Sequence, residues 1–185
     1  GTSALRDVKN DQNFVELVKE KTSFNLEVIS GNKEAGYIYS GVKSDINEDD
    51  FLIIDIGGGS TEFIWKQNDK IIEKSLNIGA VRLTERNIRN KNKALNNKNY
   101  KSLKNEIEKI IDGSEMNNIK ASKMIGVGGT ITTSAAMDLE LIEYDSKKIH
   151  HYLLSKKNID KIFLKLSQSN LNERKKMKGL NEERA

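Results

Sequence analysis

Residues 51–62, FLIIDIGGGSTE, predict a buried strand, a glycine turn and the start of a second strand. An apolar run that contains a single Asp is typical of a core strand, and the three glycines end it. Because glycine has no Cβ, we expect the turn at 57–59 to take positive φ values and to approach a ligand closely. Successive N–H groups in such a turn bind anions. With Asp55 before the turn and Glu62 after it, the segment indicates a site for a metal-bound phosphate, and a plain hairpin turn is the alternative.

A second glycine turn lies within residues 123–137, KMIGVGGTITTSAAM. A short strand is predicted to run into Gly128 and Gly129, and a helix then opens at Thr130. Helix N-termini carry unpaired N–H groups and the positive end of the helix dipole, so they bind phosphate readily. Neither turn matches the Walker A pattern GxxxxGK[ST] or the pattern GxGxxG. The segment therefore predicts a second phosphate contact, with an ordinary strand-to-helix turn as the alternative.

The chain resembles the exopolyphosphatase / guanosine pentaphosphate phosphohydrolase (Ppx/GppA) family in four motifs that lie in register: TSALRDVKN at 2–10, SGNKEA at 30–35, DIGGGSTE at 55–62 and GVGGT at 126–130. That family belongs to the actin–Hsp70–sugar kinase superfamily. The resemblance implies an α/β chain with a ribonuclease-H-like (actin-like ATPase) domain that is incomplete at both ends. It implies that residues 1–48 form the C-terminal part of domain I and the interdomain segment, and that residues 49–185 form most of domain II.

The hydrophobic periodicity predicts three strands, a helix, a further strand and helices within the second of these domains. Strands are predicted at 26–29, 51–56, 60–66, 71–78 and 123–127. Helices are predicted at 3–21, 33–42, 79–87, 103–111, 131–139 and 159–166. The polar, Asn-rich residues 90–100 are predicted to form a loop.

Glu34 is the catalytic residue that the resemblance implies, because it occupies the Glu position of the SGNKEA motif. A general base is needed since water attacks a phosphoryl group poorly unless it is oriented and loses a proton. Without the resemblance, the favoured explanation is that Glu34 complements the dipole of helix 33–42 and caps its first turn.

Asp55 and Glu62 are the candidate ligands of Mg²⁺, which prefers carboxylates, phosphate oxygens and retained waters. We predict that Asp55 binds the metal directly or through water. Glu62 is a second metal candidate and also a catalytic one, since it could orient the nucleophilic water. The candidate phosphate contacts offer a backbone amide, a hydroxyl or a guanidinium: Arg6, Gly57, Gly58, Gly59, Ser60, Thr61, Gly128, Gly129 and Thr130.

The composition narrows the classes of partner. The net charge is +4, and eight basic residues against one acidic residue in 82–104 indicate either attraction of a polyanion or a solvated loop. No aromatic residues alternate with these charges, so we expect no specific nucleic-acid partner.

The chain has no Cys and no apolar run of about 20 residues, so we expect a cytoplasmic protein without a membrane partner. His150 and His151 are adjacent, which is the wrong spacing for a helical metal pair, and we predict that they lie on the surface.

The resemblance implies a Mg²⁺-dependent phosphoanhydride hydrolase that releases the terminal phosphate of inorganic polyphosphate or of guanosine pentaphosphate (pppGpp). One alternative is a sugar- or acetate-type kinase of the same superfamily, against which SGNKEA argues. The other is a non-catalytic nucleotide-binding module. The implied incompleteness predicts that the chain alone is weak or inactive as an enzyme, and that exposed apolar surface favours self-association, for example as a homodimer.

Overall fold

The computed structural model describes residues 1, 5, 11–114, 116 and 119–185, with residues 11 and 12 described by their backbone alone. The described helices and strands are, in chain order, α1 (Asp11–Thr22), α2 (Gly31–Lys43), β1 (Phe51–Ile56), β2 (Thr61–Gln67), β3 (Lys70–Leu76), α3 (Ala80–Asn87), α4 (Asn97–Asp112), β4 (Lys123–Val127), α5 (Gly128–Asp138), α6 (Ser146–Ile149), α7 (Lys156–Gln168), α8 (Leu171–Arg174) and a 3₁₀ turn at Glu182–Arg184. None of the helices described is long and apolar enough to cross a membrane.

The four strands form one sheet in the order β3-β2-β1-β4. β1, β2 and β3 are consecutive antiparallel strands, because short turns join them. β4 then pairs with the other edge of β1 in parallel, and Asp55 lies opposite Val127 in that register. The parallel pairing places the C-terminal ends of β1 and β4, and therefore both glycine turns, at the same edge of the sheet.

Side chains alternate between the two faces of the sheet, as a strand period of two requires. On one face, Ile53 and Ile64 are fully buried beneath Ala35 and Tyr39 of α2. The opposite face packs a separate cluster around Phe63 and Leu83. α2 thus covers the face of β1 and β2 that also carries Asp55 and Glu62, because these residues lie two positions from Ile53 and Ile64.

The predicted mixed α/β class is confirmed, and most predicted elements are present within the described residues. The strand predicted at 26–29 is wrong, because this segment joins no ladder and the Ile29 N–H donates to the Gly1 carbonyl at 3.0 Å. The loop predicted at 90–100 is too long, since Asn96 accepts a hydrogen bond from the Asn99 N–H at 2.8 Å and so caps α4. The division between residues 48 and 49 stays a prediction.

Candidate functional site

Two glycine turns meet at the end of β1. Gly128 has φ +80°, and a Cβ there would collide with the carboxylate of Asp55. The Thr130 hydroxyl donates to the Ile56 carbonyl at 2.9 Å, which fixes the first turn of α5 to the end of β1. Gly128 is therefore required for its left-handed backbone and for the close approach of Asp55.

The turn at 57–59 is held by the N-terminus of α3. The N–H groups of Ala80 and Val81 donate to the carbonyls of Gly57 and Gly58, both at 2.9 Å. Because these carbonyls point to α3, the opposite, N–H side of the turn is left for a ligand. In the part of the chain that the structure describes, no hydrogen bond is formed by the N–H groups of Gly58, Gly59 and Ser60.

The expectation of positive φ in this turn is wrong. Among the glycines described, positive φ occurs at Gly128 and Gly179, and not at 57–59. The position that cannot accept a side chain is instead Gly79, where a Cβ would collide with backbone atoms of Gly58, Gly59 and Ser60. Sequence reasoning did not single out Gly79, and the available signal was a glycine immediately before the amphipathic segment 80–87.

The carboxylates of Asp55 and Glu62 lie on neighbouring strands, directly opposite each other in the β1–β2 register. Glu62 is only 9% exposed, and its Oε1 accepts hydrogen bonds from the hydroxyls of Ser60 at 2.5 Å and Ser75 at 2.9 Å. Burial raises the pKa of Asp55 above its ordinary value, and the negative charges of Glu62 and Glu34 raise it further. Glu34 stands in the first turn of α2, which packs on that face of the sheet, so the three predicted carboxylates lie on the same side.

The backbone explains why Glu34 reaches this group. Ser30 caps α2, since its side chain accepts a hydrogen bond from the Lys33 N–H at 3.3 Å. Glu34 therefore stands in the first helical turn without acting as the N-cap, and α2 lies over the face of the sheet that carries Asp55. This geometry removes the explanation of Glu34 as the cap, while a favourable interaction with the helix dipole remains.

Glu73 on β3 is a further carboxylate that sequence reasoning missed. A Cβ on Gly31, the first residue of α2, would lie 3.2 Å from both carboxylate oxygens of Glu73. Glu73 is paired with Ile64 and therefore faces the same side as Glu62. The signal in the sequence was the spacing of Glu73 and Ser75, two residues that share one face of a strand.

Each glycine turn also has an arginine beside it. The Arg82 Nε donates to the Gly59 carbonyl at 2.6 Å. The guanidinium of Arg184 lies so close to Gly129 that a Cβ there would overlap with it. The sequence placed Arg82 in the basic segment 82–104, either as an attractor of a polyanion or as a solvated residue, and gave Arg184 no role, because neither contact is visible in the local sequence.

The structure brings together most of the predicted site residues: Glu34, Asp55, Gly57, Gly58, Gly59, Ser60, Thr61, Glu62, Gly128, Gly129 and Thr130. Two hydroxyls already donate within the protein, since Ser60 donates to Glu62 and Thr61 donates to the Ile78 carbonyl at 3.0 Å. Arg6 lies outside the described residues. The roles of all these residues stay predictions.

The donor set at this edge fits a hard divalent cation. The oxygens come from carboxylates and hydroxyls, which are the ligands that Mg²⁺ takes together with water and phosphate. Crowding of Asp55 by Glu62 and Glu34 opposes ionisation of Asp55, and a bound cation would reverse that effect. Asp55 and Glu62 are thus the residues that could hold Mg²⁺.

Comparison with known proteins gives one family along the whole chain, because a model of the Ppx/GppA phosphatase family matches residues 1–185. The chain is 37% identical to the bifunctional 3-dehydroquinate synthase/phosphatase of Fusobacterium nucleatum, over 99% of this chain and 28% of the relative. It is 29% identical to exopolyphosphatase 2 of Mycobacterium tuberculosis, over 80% of this chain and 49% of the relative. It is 34% identical to the guanosine-5′-triphosphate,3′-diphosphate pyrophosphatase of Photobacterium profundum, over 71% of this chain and 27% of the relative.

Solved structures agree with the sequence comparisons. The Ppx/GppA enzyme of Aquifex aeolicus superposes with a TM-score of 0.83 at 30% identity, over 99% of this chain and 60% of that chain. An exopolyphosphatase from Cytophaga hutchinsonii superposes with a TM-score of 0.81 at 28% identity, over 100% of this chain and 61% of that chain. These likenesses confirm the predicted actin-like fold. The chain spans 28%, 49% and 27% of the three curated relatives named above.

Proposed function

Because the chain belongs to the Ppx/GppA phosphatase family, we propose that it carries the hydrolytic centre of an enzyme that cleaves terminal phosphoanhydrides. The proposed substrates are inorganic polyphosphate and guanosine pentaphosphate, following the names of the exopolyphosphatase and pyrophosphatase relatives. The observation that carries the proposal is the meeting of Glu34, Asp55 and Glu62 where both glycine turns converge.

In this mechanism, Glu34 accepts a proton from the attacking water. The water oxygen forms a bond to the terminal phosphorus, and the bond between that phosphorus and the bridging oxygen breaks. The leaving group is the shortened polyphosphate or guanosine tetraphosphate, and the other product is inorganic phosphate. Glu34 suits this role because it stands in the first turn of α2, which packs over the face of the sheet that carries Asp55 and Glu62.

The N–H groups of Gly58, Gly59 and Ser60 are proposed to bind the oxygens of the transferred phosphoryl group. Such fixed dipoles need no reorganisation when negative charge develops, which makes them effective in the transition state. Arg82 positions this turn, since it binds the Gly59 carbonyl. Mg²⁺ bound at Asp55 and Glu62 would neutralise the charge of the phosphate oxygens.

The relatives reported above are named as phosphatases, an exopolyphosphatase and a pyrophosphatase, which supports hydrolysis over the kinase and non-catalytic alternatives. We also propose a cytoplasmic location, with polyphosphate or guanosine polyphosphate as the partner. The absence of cysteine is consistent with a reducing compartment.

The function is tested by phosphate release from long-chain polyphosphate and from pppGpp, each with Mg²⁺ and with a chelator, by a full-length protein that contains this chain. We expect Mg²⁺-dependent release of phosphate one residue at a time from at least one of the two substrates. Transfer of phosphate from ATP to a sugar or to acetate, without release from either anhydride, would overturn the proposal.

A further inference from the structure

The two histidines of the chain converge on one carboxylate that is not among the residues of the glycine turns. Nε2 of His150 lies 2.7 Å from Oδ2 of Asp45, and Nε2 of His151 lies 2.5 Å from the same oxygen. The imidazole rings stack, with centroids 4.3 Å apart and planes at 27°. The three ligand atoms all lie within 4.8 Å of one another. The helical-spacing argument does not apply to this pair, because His150 follows α6 in an extended conformation and His151 has φ +59°.

Two imidazole nitrogens and one carboxylate oxygen form a recognised donor set for transition metals. Imidazole suits Zn²⁺, Cu²⁺ and Ni²⁺, whereas Mg²⁺ is held by oxygen ligands, so this cluster differs in chemistry from the carboxylates at the end of β1. A divalent ion bound at the two Nε2 atoms, in the planes of the rings, would supply the positive charge that the Asp45 carboxylate attracts.

Small movements would convert the observed contacts into coordination. Tetrahedral bonds of about 2.0–2.1 Å separate neighbouring ligand atoms by roughly 3.3 Å. The two contacts between a histidine Nε2 and Oδ2 of Asp45 must therefore lengthen by less than about 1 Å. The side chains of Asp45, His150 and His151 are 44%, 66% and 58% exposed, which gives them room to move and leaves an outer position for water.

We propose that Asp45, His150 and His151 form a binding site for a transition-metal ion, with Zn²⁺ as the best chemical match. The site would join two distant parts of the chain. Asp45 lies just after the C-terminal end of α2, and the histidines lie between α6 and α7. Metal binding would therefore fix the far end of the helix whose first turn carries Glu34. The proposal does not depend on the hydrolytic function.

The test is calorimetric titration of Zn²⁺ into the protein, with Mg²⁺ in excess so that the oxygen site is already filled. We expect saturable binding of one Zn²⁺, and tetrahedral Co²⁺ absorption bands when Co²⁺ replaces it. His151→Gly removes one ligand, and glycine adopts φ +59° without strain, so this variant should fold. Asp45→Asn removes the carboxylate charge. The loss of one outer-shell partner typically weakens a metal site about 10–100-fold, so each variant should lose at least that factor.

Asp160→Asn is the matched control, because Asp160 is also an exposed carboxylate in an ion pair, with Lys156 on α7. Its Zn²⁺ affinity should equal that of the wild type. Unchanged affinity in both His151→Gly and Asp45→Asn, or no saturable binding by the wild type, would overturn the proposal and leave the cluster as a hydrogen-bonded surface pair.

Discussion

Replacing Gly79 with Ala tests whether the glycine turn is positioned by close packing. Gly79 has φ −75° and ψ 154°, values that alanine adopts without strain, so the substitution adds only the volume of one methyl group. That methyl group would collide with backbone atoms of Gly58, Gly59 and Ser60. Because the obstructing atoms belong to the backbone, they cannot rotate away as the end of a side chain would.

The size of the effect follows from two opposing terms. Overpacking in a well-packed region costs about 1–3 kcal/mol. The lower conformational entropy of the unfolded alanine chain offsets about 0.4–1 kcal/mol of this. Because the collisions are with backbone atoms, the overpacking cost lies near the upper end of its range, and we expect a net destabilisation of about 2–2.6 kcal/mol, which lowers Tm by about 4–10 °C for a chain of this size. The turn at 57–59 must also shift, so the turnover of each folded molecule should fall as well.

The assays are urea unfolding, thermal unfolding and phosphate release by the folded fraction. Gly41→Ala is the matched control, since a Cβ at Gly41 of α2 meets no atom within 4 Å. Alanine should stabilise that helix by about 0.5–1 kcal/mol. The reasoning would be refuted if the free energy of unfolding of Gly79→Ala lay within about 0.5 kcal/mol of the wild-type value and the variant kept wild-type turnover.

The remaining predictions concern the carboxylates and the turn. Glu34→Gln should lower kcat by about 10²–10⁴-fold while substrate affinity stays close to wild type, and near wild-type kcat would remove Glu34 from the mechanism. Burial and the negative charges of Glu62 and Glu34 raise the pKa of Asp55 in the folded protein. In the metal-free protein, the stability gained from protonated Asp55 is therefore fully present below the unfolded pKa of Asp55 and is lost as pH rises through its folded pKa. Asp55→Asn should therefore raise Tm in a chelator above that pKa and abolish the rise in Tm that Mg²⁺ produces in the wild type; a lower Tm in the chelator would contradict this. Gly58→Val should shift the turn, because a Cβ at residue 58 would already lie 3.4 Å from Cγ2 of Val81 on α3, and it should therefore weaken binding of a phosphate analogue in calorimetry; unchanged affinity would mean that the turn is a plain hairpin.

Several local features could be predicted from the sequence because short-range patterns determine them. The apolar run of 51–56 and the glycines after it predict a strand and a turn, and both are present. The predicted helix over Glu34 begins two residues late, because the Ser30 side chain caps the helix and allows it to start at Gly31. The strand predicted at 26–29 failed since a strand needs a partner, and the apolar content of a segment does not supply one.

The motifs of this chain determined by themselves which residue types would be available: two glycine turns, a carboxylate before and after the first, and a glutamate at the start of a helix. Tertiary structure decided which of them meet. Parallel pairing of β1 with β4 brings Asp55 against Gly128, packing of α3 makes Gly79 part of the turn, and pairing of β3 adds Glu73. Asp45 and His151 are 106 residues apart in the chain and yet in contact. Contacts of this kind depend on the register of remote strands and on the path of the chain between them, and no periodicity within a short window encodes either.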